Sequence, residues 1–195
     1  MDTLIDLRPP VHNVCALVGA VTDEDLSRPT PCQYDVATLL DHLDGLALAF
    51  TLAAAKSDDP RLAAAPAPSG GALAPGWRER VPQRLTALAE AWRDPAAWEG
   101  MATAGGVTMP AEVAGVVALD EVVLHGWDLA RATGQPYDVD ADTLAAVHRF
   151  VEESAQPEQA EAREGLFGPP VAVGEDAPLL DRVVALAGRS PAWPG

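Results

Sequence analysis

Glu121 and His125 lie four residues apart, so on an α-helix their side chains project from the same face, one above the other. A carboxylate and an imidazole are both metal ligands, and this pair interrupts a helical row of apolar residues that includes Val113, Val117 and Leu124. A buried ionisable side chain needs a partner, and a metal ion is one such partner. Taken alone, the pair does not separate a metal site from a simple hydrogen-bonded pair, because this spacing is common.

A second histidine favours the metal interpretation. His42 lies in the strongly helical segment 35–56, on the stripe that carries Leu39 and other inward-facing apolar residues. A lone histidine there is usually a hydrogen-bonded core residue. Two histidines and one carboxylate from two facing helices are, however, the ligand set of a catalytic zinc or a related first-row ion, with at least one position open. The residue types therefore predict a metal centre at His42, Glu121 and His125.

Composition narrows the classes of protein to which the chain can belong. A length of 195 residues with 48% hydrophobic content predicts one well-cored domain. The formal charge of −16, from 29 acidic and 13 basic residues, argues against nucleic acid and anionic membranes as partners. We find no apolar leader segment and no apolar run near the ~20 residues that span a bilayer, so we expect a cytoplasmic protein. Two cysteines do not indicate a disulfide framework.

Helical periodicity and the placement of proline and glycine predict the elements that position these residues. Aromatic content is low, at 5%, and alanine and leucine are abundant, which favours closely packed helices. The predicted elements are a helix from near Pro9 that ends before Thr22, helices Asp35–Lys56, Trp77 or Val81–Trp92, Pro110 to before Gly134 and Ala141–Ser154, a hairpin within Trp98–Met109, and a short helix Leu179–Ala187.

One long segment has three possible interpretations. Residues 57–76 are rich in alanine, proline and glycine, and a connection of this length needs a reason. It is a crossover that carries two helices to non-neighbouring positions, a flap over a site, or a disordered surface loop. No internal repeat, phosphate-binding glycine loop or nucleophile elbow is present in the chain. His148, on the fifth helix, is expected to be a packing or surface residue.

Motifs along nearly the whole chain resemble one known family, the mycothiol-dependent maleylpyruvate isomerase-like branch of the DinB superfamily. The most specific is the block His-Gly-Trp-Asp-Leu-Ala with a glutamate four residues before its histidine. The segments that carry the resemblance are Thr30–Cys32, Leu39–Leu43, Gly106–Glu112, His125–Gly134 and Phe167–Pro170.

The resemblance implies an all-α fold, a DinB-like four-helix bundle. It has a long crossover between helices 2 and 3, a small hairpin before helix 4 and a short C-terminal helical extension. Residues 1–155 would form the metal-binding bundle, and residues 156–195 an extension that packs on it without being an independent domain. The implied metal ligands are His42, Glu121 and His125. Zinc is the first choice of metal, with nickel or another divalent ion as alternatives.

The resemblance also implies a chemistry. A positively charged metal site would bind a small-molecule thiol such as mycothiol as a thiolate, for isomerisation of an electrophilic alkene or for S-transfer. Asp128 could orient the metal ligand or the thiol, or be a surface or capping carboxylate. Arg131 could meet a substrate carboxylate or pair with Asp128. We expect the thiol to come from outside the chain, because neither Cys15 nor Cys32 occupies an expected ligand position.

Other possibilities stay open at this level. Maleylpyruvate isomerases carry a further C-terminal domain, whereas this chain ends soon after the Leu179 helix, so we expect a different small-molecule substrate. A metal-dependent hydrolase, a noncatalytic protein that binds a metal or small ligand, and a metal-free bundle are the alternatives. In the metal-free bundle Glu121 and His125 would pair with each other. A monomer or a homodimer is expected.

Overall fold

The computed structural model describes residues 4–65, 67–163 and 166–194. Helices dominate, and one two-stranded antiparallel hairpin precedes the longest helix, which confirms the predicted all-α class and the hairpin. The elements are α1 (Arg8–Ala20), α2 (Val36–Ala54), α3 (Trp77–Ala91), β1 (Met101–Ala104), β2 (Val107–Pro110), α4 (Ala111–Thr133), α5 (Ala141–Ser154), α6 (Ala160–Arg163) and α7 (Leu179–Leu186).

The first four helices form the bundle. Helices α1 and α2 each pack against both α3 and α4, so α2 and α4 are neighbours, and α5 packs against both α4 and α7. Helices α2 and α3 also lie side by side, so the long connection between helices 2 and 3 joins neighbours, and the interpretation that it carries them to non-neighbouring positions was wrong. The contact between α2 and α4 matters most for function, because His42 lies on one helix and Glu121 on the other.

Local signals in the sequence set the ends of the helices. The Asp35 carboxylate caps α2 by accepting a hydrogen bond from the Thr38 amide at 2.7 Å. Helix α1 begins at Arg8 with Pro9 in its first turn, where proline costs no hydrogen bond. Helix α4 ends at Gly134, whose φ of +67° is the left-handed conformation that glycine adopts readily.

Helix α2 is unusually apolar. Over its 19 residues, Val36–Ala54, it reaches a mean hydropathy of 1.4, and half of that window is buried inside the protein. By length and composition it is the one described helix that could cross a membrane, so the expectation that no segment approaches such a span was wrong. The central helix of a bundle has the same composition when neighbouring helices cover it. Its buried residues include Leu39, Leu40 and Leu43.

The described part of segment 57–76 packs against the protein. Leu62 is buried, and its carbonyl accepts a hydrogen bond from the Gly106 amide at 2.8 Å. The Ser69 amide donates to the Asp41 carboxylate of α2 at 3.1 Å. Ala65 and the hairpin turn at Gly105 both line the large cavity described below, so this segment forms part of the cavity wall.

Replacing Gly106 by alanine is expected to destabilise this wall. Gly106 has a φ of +81°, and a Cβ atom there would lie 2.8 Å from the Ala63 carbonyl oxygen. Strain and overpacking of this kind cost on the order of 1–3 kcal/mol, which urea unfolding would measure. Gly174→Ala is the matched control, because a Cβ at Gly174 meets nothing within 4 Å. A Gly106→Ala variant as stable as the wild type would show that this close approach is not needed.

Candidate metal centre

The bundle brings His42 of α2 beside Glu121 and His125 of α4. The His125 Nε2 atom lies 3.0 Å from the Glu121 Oε2 atom, and the His42 Nε2 atom lies 3.9 Å from the same oxygen. One donor atom from each residue lies within 4.8 Å of the others. The two imidazole rings meet edge to face, with centroids 4.8 Å apart. The structure therefore brings together the three residues that the sequence predicts as ligands.

His125 lies on a stretch of α4 that is buried throughout, whereas Glu121, just before this stretch, is partly exposed. Residues 122–130 are all buried, because the bundle covers one side of the helix and α5 with the C-terminal segment covers the other. At Gly126 the Tyr137 ring and the Val14 side chain lie directly against the helix backbone. The Tyr137 hydroxyl donates a hydrogen bond to the Val123 carbonyl at 3.1 Å. The glycine beside His125 thus allows this close packing.

His125 is held between two carboxylates. Its Nδ1 atom lies 3.0 Å from the Asp128 Oδ2 atom, and Asp128 is fully buried. Burial by itself lowers the pKa of His125, but contacts with Asp128, Cys32 and Glu121 outweigh burial and raise the pKa well above its ordinary value. Burial raises the pKa of Glu121, but the hydrogen bond from His125 and the charges of His125, His42 and Arg189 together outweigh burial, so the Glu121 pKa is lowered. A metal ion at Nε2 would compete with a proton there.

The pKa of His42 is shifted in the opposite direction from that of His125. Burial, followed by the charge of nearby His125, lowers the pKa of His42 to about 4. A neutral imidazole is the form that binds a metal. Its Nδ1 atom is buried and has no hydrogen-bond partner in the part of the chain that the structure describes. The ring edge faces Tyr34, with centroids 5.6 Å apart.

These residues fit a divalent metal ion. Two imidazole nitrogens and one carboxylate oxygen converge from two helices, and all three side chains also line one cavity, from which a further ligand can arrive. The Asp128 carboxylate binds the Nδ1 side of His125 and leaves Nε2 directed at Glu121. This is the carboxylate–histidine arrangement that orients metal ligands in proteins. The donor set suits zinc and other first-row divalent ions.

The structure places the two flanking residues, Asp128 and Arg131, very differently. Asp128 is buried beside His125, so the interpretation of a surface carboxylate was wrong. Its ionic partner is Arg189, which lies far along the chain, and not Arg131. Arg131 lies outside the cavity lining, donates to the Trp193 carbonyl at 2.7 Å and stacks near the Trp127 ring.

Cys32 lies closer to the centre than the sequence indicated. Its thiol, one nitrogen of His125 and one oxygen of Asp128 lie within 4.8 Å of one another. The Sγ atom is also 3.1 Å from the Thr30 hydroxyl oxygen, and the residue lines the cavity. Cys32 therefore lies close to His125 and Asp128. No local sequence signal indicates this position, because the loop reaches α4 only through the tertiary fold.

The cavity that contains the three ligands has a volume of about 1120 Å³, enough for a small organic molecule together with a thiol. Its wall is mainly apolar, with Phe150, Phe167 and Val117 among the lining residues. Val113, expected on the buried stripe, is exposed and lies on the lining. The hairpin, segment 57–76, α4, α5 and the C-terminal segment all contribute to this wall.

Two further charged residues in the cavity wall carry buried polar atoms without partners among the described residues. These atoms are Oδ1 of Asp120 and Nε and Nη1 of Arg163. Burial, followed by the neighbouring Glu121 carboxylate, raises the pKa of Asp120 well above its ordinary value. Unpaired buried groups are costly, so this part of the wall favours a polar group on a bound molecule.

Comparison with known proteins gives one match. The family model for the mycothiol maleylpyruvate isomerase N-terminal domain matches residues 7–130, more than half of the chain. The matched region contains His42, Glu121, His125 and Asp128, but neither α5 nor the C-terminal segment. Searches of the curated proteins and of the solved structures returned no match to the chain.

Proposed function

Because the chain belongs to the family of mycothiol maleylpyruvate isomerase N-terminal domains, which is DinB-like, metal-binding and mycothiol-related, we propose that it is a divalent-metal-dependent enzyme that uses a small-molecule thiol. The observation that carries the proposal is the convergence of His42, Glu121 and His125 on the wall of one cavity. Zinc is the proposed metal, and mycothiol or a similar thiol the proposed co-substrate. The reaction is isomerisation or S-transfer on an electrophilic small molecule.

The chain's own residues supply the binding and orientation in this proposal. When bound, the metal ion supplies Lewis acidity, which lowers the pKa of a thiol that reaches it. His125 is held on a buried stretch of α4, Glu121 lies one turn before it, and the mainly apolar wall limits the water around the thiolate and the acceptor. In isomerisation the thiolate sulfur adds to an alkene carbon, the former double bond rotates, and the carbon–sulfur bond then breaks. In S-transfer the new carbon–sulfur bond remains: with an alkyl bromide, bromide leaves as the sulfur bonds to carbon, and with an alkene the carbanion formed by addition takes up a proton.

Thiol dependence tests this proposal. Zinc-loaded protein is incubated with mycothiol and monobromobimane for S-transfer, or with mycothiol and a panel of cis-alkenoic acids for isomerisation followed by proton NMR. We expect turnover that needs both zinc and thiol and that is lost in Glu121→Gln. Cys32→Ser is expected to retain the turnover, because the reacting thiol is supplied from outside.

Two other results would each replace the proposal. Turnover of ester or amide substrates that needs zinc but no thiol would support a hydrolase, in which the metal activates water. Stoichiometric zinc without turnover of any substrate would support a noncatalytic binding protein. The position of Cys32 favours the noncatalytic alternative. Its thiol lies near His125, and a movement of the loop would let it fill the open position on the metal. A Cys32→Ser variant that loses zinc affinity would favour it.

A further inference from the structure

A residue near the C-terminal end of the chain contacts the metal centre through Asp128. After α7 the chain turns at Gly188, and Arg189 reaches back to α4. Its Nε atom donates to both carboxylate oxygens of Asp128, at 3.0 and 3.2 Å, and its Nη2 atom donates to Oδ2 at 3.0 Å. Both side chains are buried, and a two-point contact of this kind fixes the carboxylate plane.

The same carboxylate orients His125. The Asp128 Oδ2 atom that accepts from Arg189 is also the atom that lies 3.0 Å from His125 Nδ1. The contacts therefore form a chain from Arg189 through Asp128 to the imidazole, whose Nε2 atom faces Glu121. The Nη1 atom of Arg189 donates to the Ala187 carbonyl at 3.1 Å, so each of its three nitrogens already has a protein partner. This pattern is typical of a residue that positions another one.

The turn that delivers Arg189 is itself well determined. Gly188 has a φ of +83°, and a Cβ atom there would lie 2.7 Å from the backbone of Gly168. The Arg189 amide donates to the Val184 carbonyl at 2.9 Å. Arg163 holds the same region by donating to the carbonyls of Gly168 and Leu186. The backbone before Arg189 is thus fixed independently of its side chain.

We propose that Arg189 is a positioning residue of the metal centre: it holds Asp128 so that His125 presents Nε2 to the metal, and the C-terminal segment thereby sets the metal affinity. The inference rests on the metal centre of the proposed function. It extends beyond the family match, which ends at residue 130, because Arg189 and the turn at Gly188 lie outside the matched region. The part of the protein that binds the metal would then depend on a segment that is distant in sequence.

Zinc affinity of Arg189 variants tests the proposal directly. Arg189→Gln is expected to weaken zinc binding by about 10–100-fold, the usual effect of losing an outer partner of a metal ligand, as measured by competition with a chromophoric chelator. Arg189→Lys keeps the charge but cannot span both oxygens, so we expect an intermediate loss. The visible absorption of the cobalt-loaded protein should change in both variants, because the ligand geometry at His125 changes.

Arg131→Gln is the matched control. Arg131 also joins α4 to the C-terminal tail, through the Trp193 carbonyl, but it does not touch Asp128. Its removal should leave zinc affinity and the cobalt spectrum unchanged. If Arg131→Gln weakens zinc binding as much as Arg189→Gln does, general loosening of the C-terminal segment explains the effect and the proposal fails.

A double-mutant cycle with Asp128→Asn tests whether Arg189 acts through Asp128. We expect the Arg189→Gln/Asp128→Asn double variant to bind zinc as tightly as whichever single variant binds zinc less tightly. Additive losses would overturn the chain of contacts, as would a folded Arg189→Gln protein with wild-type zinc affinity and cobalt spectrum. If Arg189→Gln does not fold, Arg189→Lys decides by the same two measurements.

These measurements need no thiol turnover, so they separate this inference from the proposed function. A wild-type protein that binds zinc without thiol-dependent turnover would refute the enzyme proposal while the Arg189 test proceeds as designed. A wild-type protein that binds no zinc or cobalt would overturn both.

Discussion

Replacing His125 by alanine is expected to reduce bound zinc from near stoichiometric to near zero and to abolish thiol-dependent turnover. His125 belongs to both groups of possible metal ligands among the described residues, and its Nε2 atom lies beside Glu121. Removing a ligand should cost more affinity than the about 10–100-fold loss that follows removal of an outer partner. Elemental analysis of the purified protein, before and after zinc reconstitution, measures the effect.

The variant should still fold, because Asp128 keeps its ionic contact with Arg189 when the imidazole is gone. His12→Ala is the matched control, since His12 is an exposed histidine on α1 whose loss should leave bound zinc unchanged. His42→Ala is expected to lose the metal as His125→Ala does. Wild-type zinc content in His125→Ala would refute the proposed ligand set. Wild-type protein that takes up no metal even after reconstitution would leave the metal-free pairing of Glu121 with His125.

Local sequence patterns predicted His42, Glu121 and His125 as ligands because helical periodicity determines which face of its helix each side chain is on. The Glu121–His125 spacing fixes one face of α4, and the apolar stripe of α2 fixes the direction of His42. Because the two helices are neighbours and pack at the matching level, the three donors meet. The bounds of the helices and the hairpin were predictable for the same reason, because caps, prolines and glycines act within a few residues of themselves.

Contacts between distant parts of the chain were not predictable from local patterns. Spacing along the helix made Arg131 a possible partner for Asp128, whereas the partner is Arg189, 61 residues away. Cys32 lies in a loop whose path is set by tertiary packing, so its approach to His125 has no local signal. The packing of segment 57–76 against the hairpin depends on a Gly106–Leu62 contact of the same kind. Outer partners of the site are therefore the part that needs a structure.

Replacing Gly126, the glycine of the His-Gly-Trp-Asp block, is expected to have the second large effect, a loss of stability. Gly126→Ala is expected to destabilise the protein by about 3 kcal/mol, measured by urea unfolding of the metal-free form. A Cβ atom there would lie 2.5 Å from the Tyr137 hydroxyl oxygen and 2.7 Å from a Val14 methyl group. Alanine favours a helix over glycine by about 1 kcal/mol, but overpacking of a rigid ring and a buried methyl outweighs that gain.

The matched control, Gly19→Ala, is expected to change stability in the opposite direction or not at all. Gly19 is also in a helix, α1, and a Cβ atom there meets nothing within 4 Å, so Gly19→Ala should leave stability unchanged or raise it by up to about 1 kcal/mol. A double-mutant cycle with Val14→Ala, which removes one of the two clashing groups, should show that Gly126→Ala costs less in that background. Equal stability of Gly126→Ala and the wild type would mean that Tyr137 and Val14 can move away. The close packing beside His125 would then not require this glycine.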